Sequence, residues 1–341
     1  MSSDHSLIRS DIDLDAPGKQ CGFLRLPHSV NRSAYGFIPI PIVSVRHGDG
    51  PCVLLVSGNH GDEYEGQVAL MDLIRRVRPE DITGQLIILS AANFPAVMAA
   101  ARVSPIDGGN LNREFPGQAM GTPTQMIAHY ISTALAPRAD YCFDIHSGGT
   151  SLNYLPTLLT GPVREEPLRS RVLALIEAIG LPYTVVFRGG GVTGGRNLAT
   201  VVRSHGGVPL AAEMGGGAGL TPQSVAIAKG ALARYLRATG VWIAGDGPEA
   251  PGVETRIVAV TPDDYAYATE AGVFEPARVI GDTVAAGDLA GRIHFPDTPW
   301  RDPVEILFQG PGIILCHRPI SQCARGDCLF QTGQPWPEAF S

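Results

Sequence analysis

His60 and Glu63 stand three residues apart in SGNHGDE, directly after the apolar run PCVLLVSG, so one tight turn at a strand end presents an imidazole and a carboxylate to a common point. His146 follows the short run YCFDI in the same way. Two histidines and a glutamate are a known set for a catalytic zinc, which wants three protein ligands and an open position. If the strands 53–57 and 141–145 are neighbours, their C-terminal ends bring His146 beside the other two; the metal site rests on that adjacency. Alone, His-x-x-Glu is weak, because His60 also reads as a loop histidine and Glu63 as an acid favoured at a helix N-terminus. Its place after a buried strand, with a second strand ending in Asp-x-His, makes the metal reading the stronger one.

Other groups could complete a hydrolytic site. Glu213 ends the apolar strand in PLAAEMGGG. A glutamate beside zinc can accept a proton from water and pass it to a leaving amine, although a buried acid at such a place could equally pair with an arginine. Asn112 and Arg113 in NLNREFPG are adjacent donors suited to a carboxylate, the arginine through its planar fork, and Arg102 upstream offers a second cation for a developing oxyanion. For Asn112 and Arg113 a turn residue and a surface charge are the plain alternatives. In an extended DIH segment Asp144 faces the same side as His146 and could orient it. Ser147 as a nucleophile beside His146 is weaker, since no Gly-x-Ser-x-Gly elbow surrounds it.

The elements that must position these groups alternate in type. Two strands, GFLRLP and GFIPIPIVSV, form an N-terminal β extension, expected over 1–50. The runs PCVLLVSG, QLIILSAAN, YCFDI and VPLAAEMGGG read as strands. Helices are expected near Glu65–Arg78, Thr122–Ala136, Leu168–Ile179 and Ser224–Thr239. RVSPIDGGNLNREFPG, from Arg102 to Gly117, reads as a loop without regular structure over much of its length, and a glycine-rich stretch spans Gly189 to Gly195. This alternation predicts an α/β catalytic domain over 51–245, a mostly parallel or mixed sheet covered by helices. GDGPEAPG then reads as a linker to a second, small all-β domain over 246–341. That segment contains no lysine, which sets aside a lipoyl-like carrier, and VEILFQGP, though like a protease site, sits inside a strand pattern.

Composition bounds the partners. The net charge is -7 with no Lys/Arg run, which argues against a nucleic-acid partner. No segment reaches the ~18 apolar residues of a membrane span, and the polar N-terminus lacks a secretory core, so a cytoplasmic enzyme is expected. The six cysteines are scattered and expected as thiols; Cys316, Cys323 and Cys328 fit no standard zinc spacing. Oligomeric state is left open.

GNHGDE, NLNREFPG, DIHSGG and AAEMGGG, in this order, resemble the aspartoacylase and succinylglutamate desuccinylase family, related in fold to zinc carboxypeptidases. The resemblance spans roughly Cys52 to Thr239, and the C-terminal β segment is similar to that family's second domain. It implies one zinc per chain held by His60, Glu63 and His146, Glu213 as general base, Asn112 with Arg113 on the substrate carboxylate, and Arg102 on the scissile carbonyl. SPIDGG lengthens the spacing from Arg102 to Asn112 beyond that of the best-known members. GFLRLP, GNHGDEYEGQVAL, SPIDGGNLNR and GDTVAAGDLAGRI are similar to the branch that deacetylates N-acetylated diamino acids. The implied partner is a small N-acyl amino acid, with Tyr265 or Tyr267 reaching the site from the second domain. Two other readings stay on the table: a metallocarboxypeptidase acting on short peptides, using the same metal and clamp, and a non-catalytic metal-binding module, against which Glu213 speaks.

Overall fold

The computed structural model describes residues 6–188, 195–244, 252–336 and 338–340. Most of the glycine-rich stretch and of the linker GDGPEAPG, with the domain boundary expected there, lies outside the described residues.

The central strands are Gly84–Leu89, Cys52–Ser57, Tyr141–His146 and Val208–Glu213, side by side and parallel in that order. Their apolar runs are what a sheet covered on both faces requires. Val53, Leu54, Leu55 and Val56 have no exposed surface. Because side chains alternate across a strand, Val53 and Leu55 pack with Phe143 and Ile145 against helices Tyr64–Arg76, Leu168–Ile179 and Pro222–Ala238, through Leu70, Leu175 and Leu232. Leu54, Val56 and Cys142 face the other way, onto Ile127, Ile131, Leu135 and Val202. Each such side chain contributes about 1.5–3 kcal/mol by leaving water. A one-residue slip would invert both faces, so the packing fixes the register that places the strand-end residues.

The expected neighbours are neighbours: Val53 pairs with Tyr141 and Ser57 with Ile145. The N-terminal strands, Gly18–Pro27 and Phe37–His47, form an antiparallel pair, and the second lies antiparallel on Gly84–Leu89, so the extension continues the central sheet. The expected helix near Thr122–Ala136 is regular only over Pro123–Tyr130, opened by a Thr122/Gln125 capping box. It widens to a π turn at Ile131–Leu135 and tightens to a 3-10 turn at Ala136–Arg138, where Pro137 cannot donate to the helical ladder.

C-terminal strands do two things. Arg256–Val260 lies parallel to Tyr183–Phe187, and Cys328–Pro335 and Gly312–His317 follow it, so the central sheet runs on into this half of the chain. A second, small antiparallel sheet is made of Val304–Leu307, Leu289–His294, Gly272–Pro276 and Gln322–Cys323, packed through Phe274, Ile293, Ile306 and Phe330. VEILFQGP supplies the first of these strands. Asn153 and Tyr154 splice the two halves: they pair with His317 and Cys316, while Tyr154 N–H donates to the Gly215 carbonyl at 2.9 Å and Asn153 bridges Gly216. All six cysteines are unpaired. Among the described residues, no helix is long and apolar enough to cross a membrane.

Candidate metal centre and its surroundings

His60 and Glu63 sit in the turn between the strand Cys52–Ser57 and the helix Tyr64–Arg76. The turn is forced close to its neighbour by Gly61: a Cβ there would fall 1.9 Å from the Ala96 carbonyl oxygen, so only glycine fits. Asp62 braces the other side, accepting from Thr150 N–H at 2.8 Å in the hollow left by the missing Cβ of Gly149 (φ +57). His146 closes its own strand and is held by Met214 N–H donating to its carbonyl at 3.0 Å. Glu213, its register partner, projects from the same sheet face, opposite to Ala212 and Ile145, which belong to the core behind.

These elements bring the three ligand candidates together. Glu63 lies between the imidazoles, with His60 Nδ1 2.6 Å from Oε1 and His146 Nδ1 2.8 Å from Oε2. One ligand atom from each falls within 4.8 Å of the others, and all three residues are buried. Burial pushes the Glu63 carboxyl up, but the charges and hydrogen bonds of His60 and His146 outweigh it and hold the group well below the usual carboxylate range. Burial pushes His146 down; the Asp144 and Glu63 carboxylates outweigh that and raise it well above 6.5. Two imidazoles presenting Nδ1 to a shared carboxylate held in its ionised form make a donor set that fits a divalent cation.

The outer ring of groups is equally specific. Asp144 Oδ2 stands 3.0 Å from His146 Nε2, and Asn59 Nδ2 donates to Asp144 Oδ1 at 2.7 Å. Asn110 Oδ1 lies 3.0 Å from His60 Nε2. Arg102 Nη1 lies 3.4 Å from both Glu63 Oε1 and His60 Nδ1, with its side chain 44% exposed. The SPIDGG residues form a closed loop, with Ser104 N–H donating to the Gly109 carbonyl and Asp107 pinned to Thr124. Chain thus leaves and returns without separating Arg102 from Asn112. Asn112 Nδ2 is 3.3 Å from His146 Nε2, and Arg113 donates to the Asn112 carbonyl at 2.9 Å. Burial, then the charges of Arg102 and Arg196, lower the pKa of Arg113, against the opposing pull of the Glu63 carboxylate.

Glu213 contrasts with Glu63. Burial, then the negative charge of Glu63, push its carboxyl up to about 8, against the pull of His146 and Arg102. Its Oε2 is buried without a hydrogen-bond partner. The seven residues put forward as metal ligands, base and substrate contacts therefore converge, with Asp144 beside them.

The chain comes into register with known proteins over the same segments. A profile of the succinylglutamate desuccinylase/aspartoacylase catalytic domain matches residues 49–239. The N-alpha-acetyl-L-2,4-diaminobutyric acid deacetylase of Halomonas elongata is 36% identical over 326 residues, 95% of this chain and 94% of that protein. The chain belongs to the succinylglutamate desuccinylase/aspartoacylase family. As a member it is a hydrolytic deacylase, an enzyme that cleaves a linear amide bond. Among solved family structures, the product-bound ectoine utilization protein EutE (DoeB) from Ruegeria pomeroyi superposes with a TM-score of 0.90 at 36% identity, covering 97% of this chain and 99% of that one. The succinylglutamate desuccinylase/aspartoacylase from Rhodobacter sphaeroides gives 0.89 at 37% identity with the same coverage.

Within this family member, Ser147 is buried and no hydrogen bond joins its hydroxyl to His146, which leaves the nucleophile reading without geometry. Tyr265 accepts from Gln331 Nε2 at 2.7 Å and stacks on the exposed Tyr267; neither hydrogen-bonds to the seven residues. The Tyr154 phenol is raised by burial and then by the charges of Cys316 and Glu213. Asn59, Asp62, Asn110, Tyr154 and Arg196 were not singled out from the sequence. The one signal for Asn59 and Asn110 is their place inside the motifs GNHGDE and NLNREFPG.

Proposed function

We propose that this chain is a zinc-dependent deacylase that removes an acetyl group from an N-acetylated diamino acid of the N-alpha-acetyl-2,4-diaminobutyrate type. The observation that carries the mechanism is the orphaned, buried Oε2 of Glu213 on the same sheet face as His146: a base poised beside a metal group, with no structural partner to occupy it. His60, Glu63 and His146 would hold one zinc. When bound, zinc supplies Lewis acidity, polarising the amide carbonyl and making water acidic enough to lose a proton near neutral pH.

The protein groups do the rest. Glu213 accepts the proton of the attacking water and delivers it to the departing amine nitrogen, the two roles expected of one carboxylate with a raised pKa. Arg102, half-exposed beside Glu63, donates to the carbonyl oxygen as negative charge gathers there. Asn112 and the Arg113 fork grip the carboxylate of the amino-acid product, Arg113 being close enough to Arg102 and Arg196 for their charges to lower its pKa. Similarity to the Halomonas elongata deacetylase over nearly the whole of both chains supports acetyl as the acyl group.

A screen of acetyl, succinyl and aspartyl amides of diaminobutyrate, alongside short peptides, with zinc-loaded and metal-stripped protein tests the reading. Acetate release, dependent on zinc and fastest from the acetylated diamino acid, is expected. Turnover of peptides alone would make the protein a carboxypeptidase, and zinc binding without turnover would make it a binding module.

A further inference from the structure

Asn110 occupies the position before the short helix Leu111–Glu114, where an asparagine side chain usually accepts a hydrogen bond from a backbone N–H of the first turn. It makes no such bond. Its Oδ1 is turned instead to His60 Nε2, 3.0 Å away. His60 is only 3% exposed, so water is not a ready substitute for that acceptor. The opposite nitrogen, Nδ1, faces Glu63 and is the atom that must offer a lone pair to a metal.

A neutral imidazole carries its proton on one nitrogen only, and which one is set by the hydrogen bond the ring makes. An amide oxygen at Nε2 can be satisfied only if Nε2 carries the proton. We propose that Asn110 is a positioning residue for the metal: its amide carbonyl holds His60 in the Nε2-protonated tautomer and leaves Nδ1 free to ligate. His146 is served differently, by the carboxylate of Asp144, so the two imidazoles are oriented by different acceptors. This inference rests on the metal reading given above.

Zinc affinity of the metal-stripped full chain, measured by competition with a chromophoric chelator, separates orientation from packing. Asn110→Leu keeps the volume and removes the acceptor; Asn110→Asp keeps the acceptor and strengthens it. The leucine variant is expected to bind zinc roughly 10- to 100-fold more weakly, and the aspartate variant within about threefold of wild type or more tightly. Leucine binding within about threefold of wild type, or an aspartate variant as weak as the leucine one, would overturn the role. Should the leucine variant fail to fold by circular dichroism, histidine 15N spectra of the zinc-loaded wild type decide: a proton on His60 Nε2 sustains the inference, and ligation through Nε2 ends it. A wild-type chain that takes up no zinc overturns the metal reading itself, and this inference with it.

Discussion

Replacing Glu213 by glutamine separates catalysis from stability in opposite directions. Glutamine matches the shape of glutamate, and Oε2 makes no hydrogen bond that the change would break. What disappears is the capacity to take a proton, together with the repulsion from Glu63 that helps raise the carboxyl to about 8. A general base is worth roughly 10²- to 10⁴-fold in rate, or about 3–5 kcal/mol of barrier, so kcat should fall by that factor while zinc content stays at the wild-type level. In the metal-stripped protein the sign reverses. The folded state keeps a proton that the unfolded chain, at its ordinary value of 4.5, gives up between there and pH 8. Wild-type stability should therefore decline as pH rises across that window, and Glu213→Gln should lack this decline. Acetate release at saturating substrate and melting temperature against pH are the two assays. A kcat within about tenfold of wild type would remove Glu213 as the base; parallel melting curves would refute the electrostatic account of its burial.

Two further changes address the neighbouring groups. Asp144→Asn exchanges the carboxylate 3.0 Å from His146 Nε2 for an amide, and should weaken zinc roughly 10- to 100-fold in the chelator assay with the chain still folded. Arg113→Lys keeps the charge and loses the planar fork; KM for the acetylated amino acid should rise about tenfold or more with kcat little changed, since the clamp holds substrate and transition state alike.

Much of this centre was legible in the sequence because strand ends are visible there. Largely apolar runs ending in Gly58, His146 and Glu213 announce buried parallel strands, and parallel strands deliver their terminal residues to one edge. The pairing of Val53 with Tyr141 could not be read, since nothing in two equally apolar runs says which others they lie beside. Nor could the asparagine partners: an asparagine in a polar turn looks the same whether it caps a helix or faces a histidine, and Asn110 does the less common thing. The helix at Ile131–Arg138 departs from its pattern for a local reason, Pro137, that the apolar spacing alone does not register. The continuation of the central sheet through Arg256–Val260 was hidden by a composition shift that reads as a domain boundary.

The splice at Asn153–Tyr154 bears on how the chain can be recombined. Gly215, two residues beyond Glu213, receives its hydrogen bonds from Gly148 and Tyr154, and Tyr154 is itself hung on Cys316. A chimera that exchanged only the C-terminal third with a relative would therefore replace one side of the ladder supporting the loop behind the proposed base. For an activity to travel intact between parents, the crossover has to carry Asn153–Tyr154 and Gly312–His317 as a pair, so the smallest exchangeable module is discontinuous in sequence.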